Sequence, residues 1–230
     1  LRNECYDRSN CAMDVMAALK RGRWFGGLDP ALADALVAAG RVRALDEGQW
    51  IYSEGDEEPG LCLVVDGVLR LEVSAGRDRG VLLGLIGAGQ AIGQSRRFGG
   101  GRRIVTASAQ RAGHVLLVPD IALPRIAEQA PGAWAAVIAL LYDQLDAAVH
   151  AAALNLCLTP RQRIAARLAQ LADHEGVVAA TQADVAEMCG LSRKSASGHI
   201  LALAEREWVV PLYRSVLVTN IAALRSFAGL

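Results

Sequence analysis

Net charge is what this sequence most plainly lacks: 24 lysines and arginines balance 24 aspartates and glutamates over 230 residues. That balance excludes a polybasic tail, a wholly basic nucleic-acid coat protein and a chain kept disordered by its own charge. Nucleic-acid binding stays open, because the field that matters is local. Also absent is a run of about 18 uninterrupted apolar residues of the kind a membrane helix needs, since charges punctuate every apolar stretch. The first residues, Leu1-Arg2-Asn3-Glu4-Cys5, carry no apolar signal core, so a cytoplasmic location without a membrane partner is expected. They also lack an initiator Met, as expected of a trimmed chain. The five cysteines, at 5, 11, 62, 157 and 189, are scattered and form no CxxC pair. Neither a disulfide framework nor a zinc ribbon is indicated. Enzyme signatures are missing as well. No Ser-His-Asp, Walker or Rossmann spacing stands out, and Gly99-Gly100-Gly101 is not followed by the Gly-Lys-Ser/Thr of a phosphate-binding loop. No catalysis is expected.

What is present is a large apolar fraction, 53%, enough for the cores of one or two domains. The chain has three textures. Residues 1–45 read as helical: Met13, Met16, Ala17 and Leu19 space roughly as one face, and Asp29-Pro30 starts an alanine-rich helix over 31–39. From 45 to 118 short apolar runs alternate with glycines, among them Leu61–Val65, Val68–Val73, Val81–Ile86, Ile104-Val105 and His114–Val118. Such spacing predicts an antiparallel roll or barrel. From Pro131 the texture is helical again. Trp134, Ile138, Leu141, Leu145, Ala148, Ala152 and Asn155 follow alternating steps of four and three, a heptad seam. The seam predicts a homodimer helix, and packing against its own domain is the plainer alternative.

The last 70 residues hold the most specific pattern. Thr159-Pro160 starts a helix bearing Arg161, Arg163 and Arg167. Thr181-Gln182-Ala183-Asp184 reads as a capping box, and the helix it opens, to Cys189, ends at Gly190. Ser192 caps a second helix, Arg193 to about Glu207. Helix, glycine turn, helix is the helix-turn-helix pattern. Runs at 208–210 and 216–218 with a turn near Pro211–Arg214 then predict a wing. The second helix offers its N-terminal turn to double-stranded DNA. Thr181, Gln182, Ser192, Lys194, Ser195, Ser197 and His199 are the candidate contacts, and Arg193 suits guanine O6 and N7 in the major groove. The bland alternative is any pair of amphipathic helices joined by glycine.

The order of these parts resembles the cyclic-AMP receptor/FNR (Crp-Fnr) family of bacterial transcription regulators. Residues 48–56 (GQWIYSEGD) and 61–70 (LCLVVDGVLR) are similar to the family's roll signature, and residues 181–186 and 190–195 to its helix-turn-helix. The resemblance covers nearly the whole chain. It implies an α+β fold: an N-terminal β-roll of the cyclic-nucleotide-binding, jelly-roll type over 1–130, a long dimerisation helix and hinge over 131–158, and a C-terminal winged helix-turn-helix over 159–230. RNA polymerase and an unidentified small-molecule effector are the further partners it suggests.

The sequence departs from the family's pattern at the effector site. Cyclic-nucleotide binders open a short helix with Phe-Gly-Glu and follow it with an Arg-Ser pair on the phosphate; here these read Ile92-Gly93-Gln94 and Arg103-Ile104, with Arg102 as an alternative arginine. Ala148 and Val149 stand where the helix meets the base. The candidate effector residues are therefore Gly93, Gln94, Arg102, Arg103, Ile104 and Val149. A buried phosphate and ribose need polar partners, so neither cyclic AMP nor another cyclic nucleotide is expected as the effector. The loop arginines 96, 97, 102 and 103 leave open an anionic ligand or a merely solvated loop. For an iron-sulfur cluster Cys5, Cys11 and Cys62 lack a fourth thiolate, while Cys157 and Cys189 read as ordinary core. His114, His150, His174 and His199 have no partner spacing that favours haem or metal, and no cofactor is expected.

On the recognition helix the family's Arg-Glu-x-x-x-Arg becomes Arg193-Lys194-Ser195-Ala196-Ser197-Gly198, so a different operator is expected. The strongest rival is a protein-docking or ligand-binding regulatory module that uses the same C-terminal domain. Charge splits in a way that suits DNA. Before Thr159 there are 16 basic and 18 acidic residues, and from Thr159 there are 8 and 6.

Overall fold

The computed structural model describes residues 8–76, 80–99 and 101–230, with side chains from residue 14 onward. Cys5, Gly100 and the side chains of Cys11 and Met13 lie outside the described residues. The chain forms two compact units, Leu1–Val73 with Ile86–Leu145, and Ser74–Leu85 with Asp146–Leu230.

The first unit opens with three helices, α1 (Arg8–Lys20), α2 (Arg23–Gly26) and α3 (Pro30–Ala39). The Asp29 carboxylate accepts from Ala31 N–H (2.9 Å) and Pro30 occupies the first turn, so α3 starts where the sequence predicts. The helical texture ends sooner than expected. Gly40 is extended, and Arg41–Leu45 forms strand β1 on a partner far along the chain, a pairing local pattern does not reveal. In α1 Val15, Ala18 and Leu19 are buried and Met16 packs against the same core, so Leu19 and Met16 of the expected face turn inward while Ala17 is exposed.

The roll is an antiparallel sheet ordered β1-β6-β3-β4, with β2 (Trp50–Tyr52) added to β6 (Thr106–Pro119) and β5 (Ala91–Gln94) to β3 (Gly60–Ser74). β4 is Gly80–Gly87. Successive side chains of a strand face opposite ways, and β3 buries both sets. Leu61, Leu63 and Val65 pack with Leu19, Phe25 and Leu36 of the helices, while Cys62 and Val64 enter the roll beside Ile92 and Val115. That is why residues 61–65 are apolar without alternation. The runs 61–65 and 68–73, read as two strands, are one strand broken by a register shift at Asp66–Val68. Gly67 sits there at φ +82, where a Cβ would meet the Ala112 carbonyl oxygen at 2.8 Å. Glycine satisfies both the left-handed backbone and the close approach. Ile104-Val105 forms no strand, and Ile104 projects outward.

After α4 (Leu123–Gln129) comes the long helix α5 (Ala133–Cys157). It alone among the described residues is long and apolar enough to span a bilayer by length and composition, although Asp143 and Asp146 interrupt it. Ala133, Val137 and Leu140 are buried in the first unit's core, and Trp134 and Leu141 pack against it. The seam read from sequence is therefore corrected. Trp134 and Leu141 belong to the inward face, and the outward apolar stripe is Ile138, Tyr142, Leu145, Val149, Ala152 and Leu156. A 25-residue helix whose early turns are claimed by a core has two apolar faces, and a single heptad assignment merged them.

In the second unit α6 (Pro160–Leu171), α7 (Gln182–Met188), α8 (Arg193–Ala204) and α9 (Ile221–Ala228) surround Ile164, Leu168, Val185, Ile200, Leu203 and Leu224, all buried. A three-stranded sheet, β7 (Val177–Val178), β9 (Ser215–Val218) and β8 (Val209–Leu212) in that spatial order, flanks them. The segment 74–85 joins this unit with Leu82 buried and its N–H donating to Glu187 Oε1 at 2.8 Å.

Candidate nucleic-acid interface

The predicted capping box forms at the start of α7. The Thr181 hydroxyl accepts from Asp184 N–H (3.1 Å) and donates to Asp184 Oδ2 (2.7 Å), while Thr181 N–H donates to the same oxygen (2.8 Å). Both Thr181 hydrogens are thus used inside the protein, and its part in the site is to set the helix. The turn after α7 closes as a Schellman motif. Gly190 adopts φ +64, its N–H donates to Glu187 O (3.0 Å), and Leu191 N–H donates to Ala186 O (2.8 Å). From α6, Arg163 Nη1 donates to Cys189 O (2.9 Å), fastening the turn beneath. Arg167 donates to the Cys189 thiol, and burial holds its guanidinium below the usual range. Burial also pushes the Cys189 thiol up to about 11. The turn that aims α8 is therefore tied from below by two arginines, a role their basic charge did not reveal.

Ser192 caps α8 by accepting from Ser195 N–H at 3.1 Å. Ala196, Ile200 and Leu203 face inward, which turns Arg193, Lys194, Ser197, Gly198 and Leu201 outward. These five, with Gln182 of α7, line one open groove. Four candidate residues from the sequence meet there: Gln182, Arg193, Lys194 and Ser197. Ser192 is exposed at the same helix end, while Ser195 and His199 are half-buried on the flanks. Arg193 and Lys194 are exposed and have no hydrogen-bond or ion-pair partner among the described residues. Sequence reasoning missed Leu201, although its step of four from Ser197 was a legible signal. β8 and β9 form the wing hairpin, with Leu212 opposite Ser215 and the turn made by Tyr213 and Arg214 alone. Arg214 stands at φ +55, and Tyr213 is 91% exposed at the tip.

In the roll, five of the six candidate effector residues come together in the first unit; Val149 lies exposed on α5 in the other. Gln94 is buried. Its Nε2 donates to Arg102 O, and its Oε1 accepts from Ile104 N–H at 3.3 Å. The amide thus closes the loop on itself. Gln144 of α5 holds the Gly93 peptide, its Nε2 donating to Gly93 O at 3.2 Å. Arg102 is exposed and pairs with Glu57 at 2.7 Å. Arg103 is buried, donates through Nη1 to Gly60 O (3.0 Å) and stacks its guanidinium 4.0 Å over the Tyr52 ring. Its Nε has no hydrogen-bond partner among the described residues. Burial pushes the neighbouring Cys62 thiol up to about 12, against the pull of Arg103 and Arg43, and raises Tyr52 further. Cys62 sits inside the roll, and Cys157, read as core, is exposed instead. His114 contacts Asp66 (2.9 Å) and His150 contacts the Asp146 carbonyl (2.9 Å).

Comparison with known proteins agrees with this architecture. Residues 42–130 match the model of the cyclic nucleotide-binding domain, and residues 162–227 match the Crp-like helix-turn-helix domain. Among solved structures, the catabolite activator protein of Thermus thermophilus is similar at 25% identity, over 90% of this chain and 98% of that one, with TM-score 0.50. FixK2 of Bradyrhizobium japonicum shares the fold at 18% identity and TM-score 0.73, over 82% and 96% of the two chains. The c-di-GMP-responsive regulator CLP of Xanthomonas campestris does so at 18% and 0.64, over 83% and 99%. None of the curated proteins matches the chain. With both family domains in this order, and a roll, a long helix and a helix-turn-helix with its wing in place, the chain belongs to the Crp-Fnr family of transcription regulators.

Proposed function

We propose that this protein is a homodimeric, sequence-specific regulator that places α8 in the DNA major groove and answers to an effector other than cyclic AMP, or to none. One observation carries the DNA reading: Arg193 and Lys194 stand exposed at a capped helix start, in one groove with Gln182 and Ser197. Helix-start amides and basic side chains suit phosphates, and Arg193 suits a guanine. The reading assigns no catalytic role and places the protein in the cytoplasm, with RNA polymerase as a further partner. The rival docking-module reading predicts no preference among DNA sequences.

Dimerisation is supported by the outward stripe on α5, whose residues recur at steps of four and three and need an apolar cover. A paired helix would set two copies of α8 about one DNA turn apart. In a Cys157→Ser background, Val149→Cys is expected to crosslink two subunits, while Leu141→Cys on the inward face is not. The effector reading is supported by Gln94, whose amide nitrogen and oxygen are both engaged within the roll. Titration calorimetry with cyclic AMP is expected to give no heat of binding.

Selection of bound duplexes from a random pool tests the central claim. Enrichment of a two-fold symmetric sequence is expected, and bound DNA no different from the input sinks it. Repeating the selection with a metabolite extract reveals whether a ligand changes the outcome.

A further inference from the structure

The outer face of α8 carries two residues that charge and hydrogen bonding do not explain. Leu201 is 54% exposed, yet its neighbours Ile200 and Leu203 are fully buried. It lies in the groove with the basic residues, one turn beyond Ser197 and two turns beyond Arg193 and Lys194. The second residue is Gly198, in the middle of the same helix. Glycine in a helix interior costs about 1 kcal/mol relative to alanine. Nothing among the described residues requires it, because a Cβ built there has no heavy atom within 4 Å and φ is not left-handed. The space a side chain would fill is on the outside, in the groove. A position that gives up helix stability without an internal reason suits close approach by an external surface.

The two features fit one ligand chemistry. Base pairs in the major groove differ in hydrogen-bonding groups and in a single apolar one, the C5 methyl of thymine. A leucine one turn beyond Ser197 and Gly198 in this groove is a match for that methyl, and the glycine brings the helix backbone nearer the base edges. We propose that Leu201 is a specificity-determining residue that reads a thymine methyl in each half-site, with Gly198 allowing the approach. This role rests on the DNA reading of α8. It adds an apolar contact to a recognition helix whose other outward groups are charged or hydroxylic.

The test uses the full-length protein and the operator obtained by selection, with each thymine of the half-sites replaced in turn by deoxyuridine, which removes only the methyl group. One symmetric pair of positions is expected to lose affinity, by about threefold to tenfold per methyl. In Leu201→Ala the same replacement is expected to have no effect. Gly198→Ala is expected to raise the melting temperature while weakening operator binding, two opposite readouts that a purely structural glycine does not produce. The proposal is overturned if every thymine tolerates loss of its methyl, or if the sensitivity persists in Leu201→Ala. Failure to enrich any sequence from the pool overturns the DNA reading and this proposal together, whereas tight operator binding without methyl sensitivity overturns this proposal alone.

Discussion

The roll and the helix-turn-helix use the same polar residue types in opposite directions. In the roll, Arg103 and Gln94 are buried, and their side chains bond to the main chain at Gly60, Arg102 and Ile104. In the C-terminal unit, Arg163 and Arg167 do similar internal work on Cys189, while Arg193 and Lys194 remain outside. An arginine count therefore says little about binding. What separates a structural arginine from a recognition arginine is whether the fold itself supplies its acceptors. Buried acceptors need donors, so an inward arginine spends at least one N–H on the main chain; an exposed one at a helix start keeps its whole guanidinium for phosphate or base.

Truncating one arginine of each kind separates the two uses. Arg103→Ala leaves the Gly60 carbonyl without its donor, removes the stack on Tyr52 and opens a void. It is expected to cost the roll about 2–4 kcal/mol, measured by urea unfolding. Arg193→Ala is expected to leave stability within about 0.5 kcal/mol and to weaken operator binding by roughly 1–3 kcal/mol, with relaxed preference at one base pair. If Arg103→Ala unfolds at the wild-type urea concentration, the inward commitment of that side chain is wrong.

The buried thiols make stability depend on pH. Burial raises Cys62 to about 12 and Cys189 to about 11 from an ordinary 9.0. Below pH 9 folded and unfolded chains both hold these protons, and stability does not depend on them. From pH 9 upward the unfolded chain releases them and the folded chain does not, so stability falls by about 1.4 kcal/mol per pH unit for each thiol. The fall due to Cys189 ends near pH 11 and that due to Cys62 near 12. Urea midpoints between pH 8 and 10.5 are expected to decline, and Cys189→Ala to remove about half of the slope.

Much of this architecture was legible because it is written in local chemistry. The Asp29 cap, the Thr181–Asp184 box, the Gly190 turn and the Ser192 cap each follow from residue type and spacing, and each forms. What escaped depends on distant partners. β1 needs β6 to be a strand, and Trp134 and Leu141 turn inward only because the roll and its helices supply a core for α5. The effector candidates show the same limit. A family pattern locates Gln94 and Arg103, but their acceptors, the carbonyls of Arg102 and Gly60, are main-chain groups with no sequence signature. Leu201 was missed for another reason: an exposed leucine on an amphipathic helix is common, and only its place beside Lys194 and Gly198 gives it meaning.

The two outward basic residues of α8 differ in what they can hold. Arg193 has a planar fork suited to two acceptors on one guanine, whereas the Lys194 ammonium is a point charge suited to phosphate. Each neutralised phosphate contributes a released counterion and steepens the dependence of affinity on salt. Lys194→Ala is therefore expected to reduce the slope of log affinity against log salt by about 0.9 for each phosphate left without its ammonium, and to weaken all sequences about equally. Arg193→Ala is expected to weaken the operator more than random DNA. If Lys194→Ala leaves the salt slope unchanged but alters which sequences are selected, the ammonium reads a base, and the division between positioning and reading on α8 has to be redrawn.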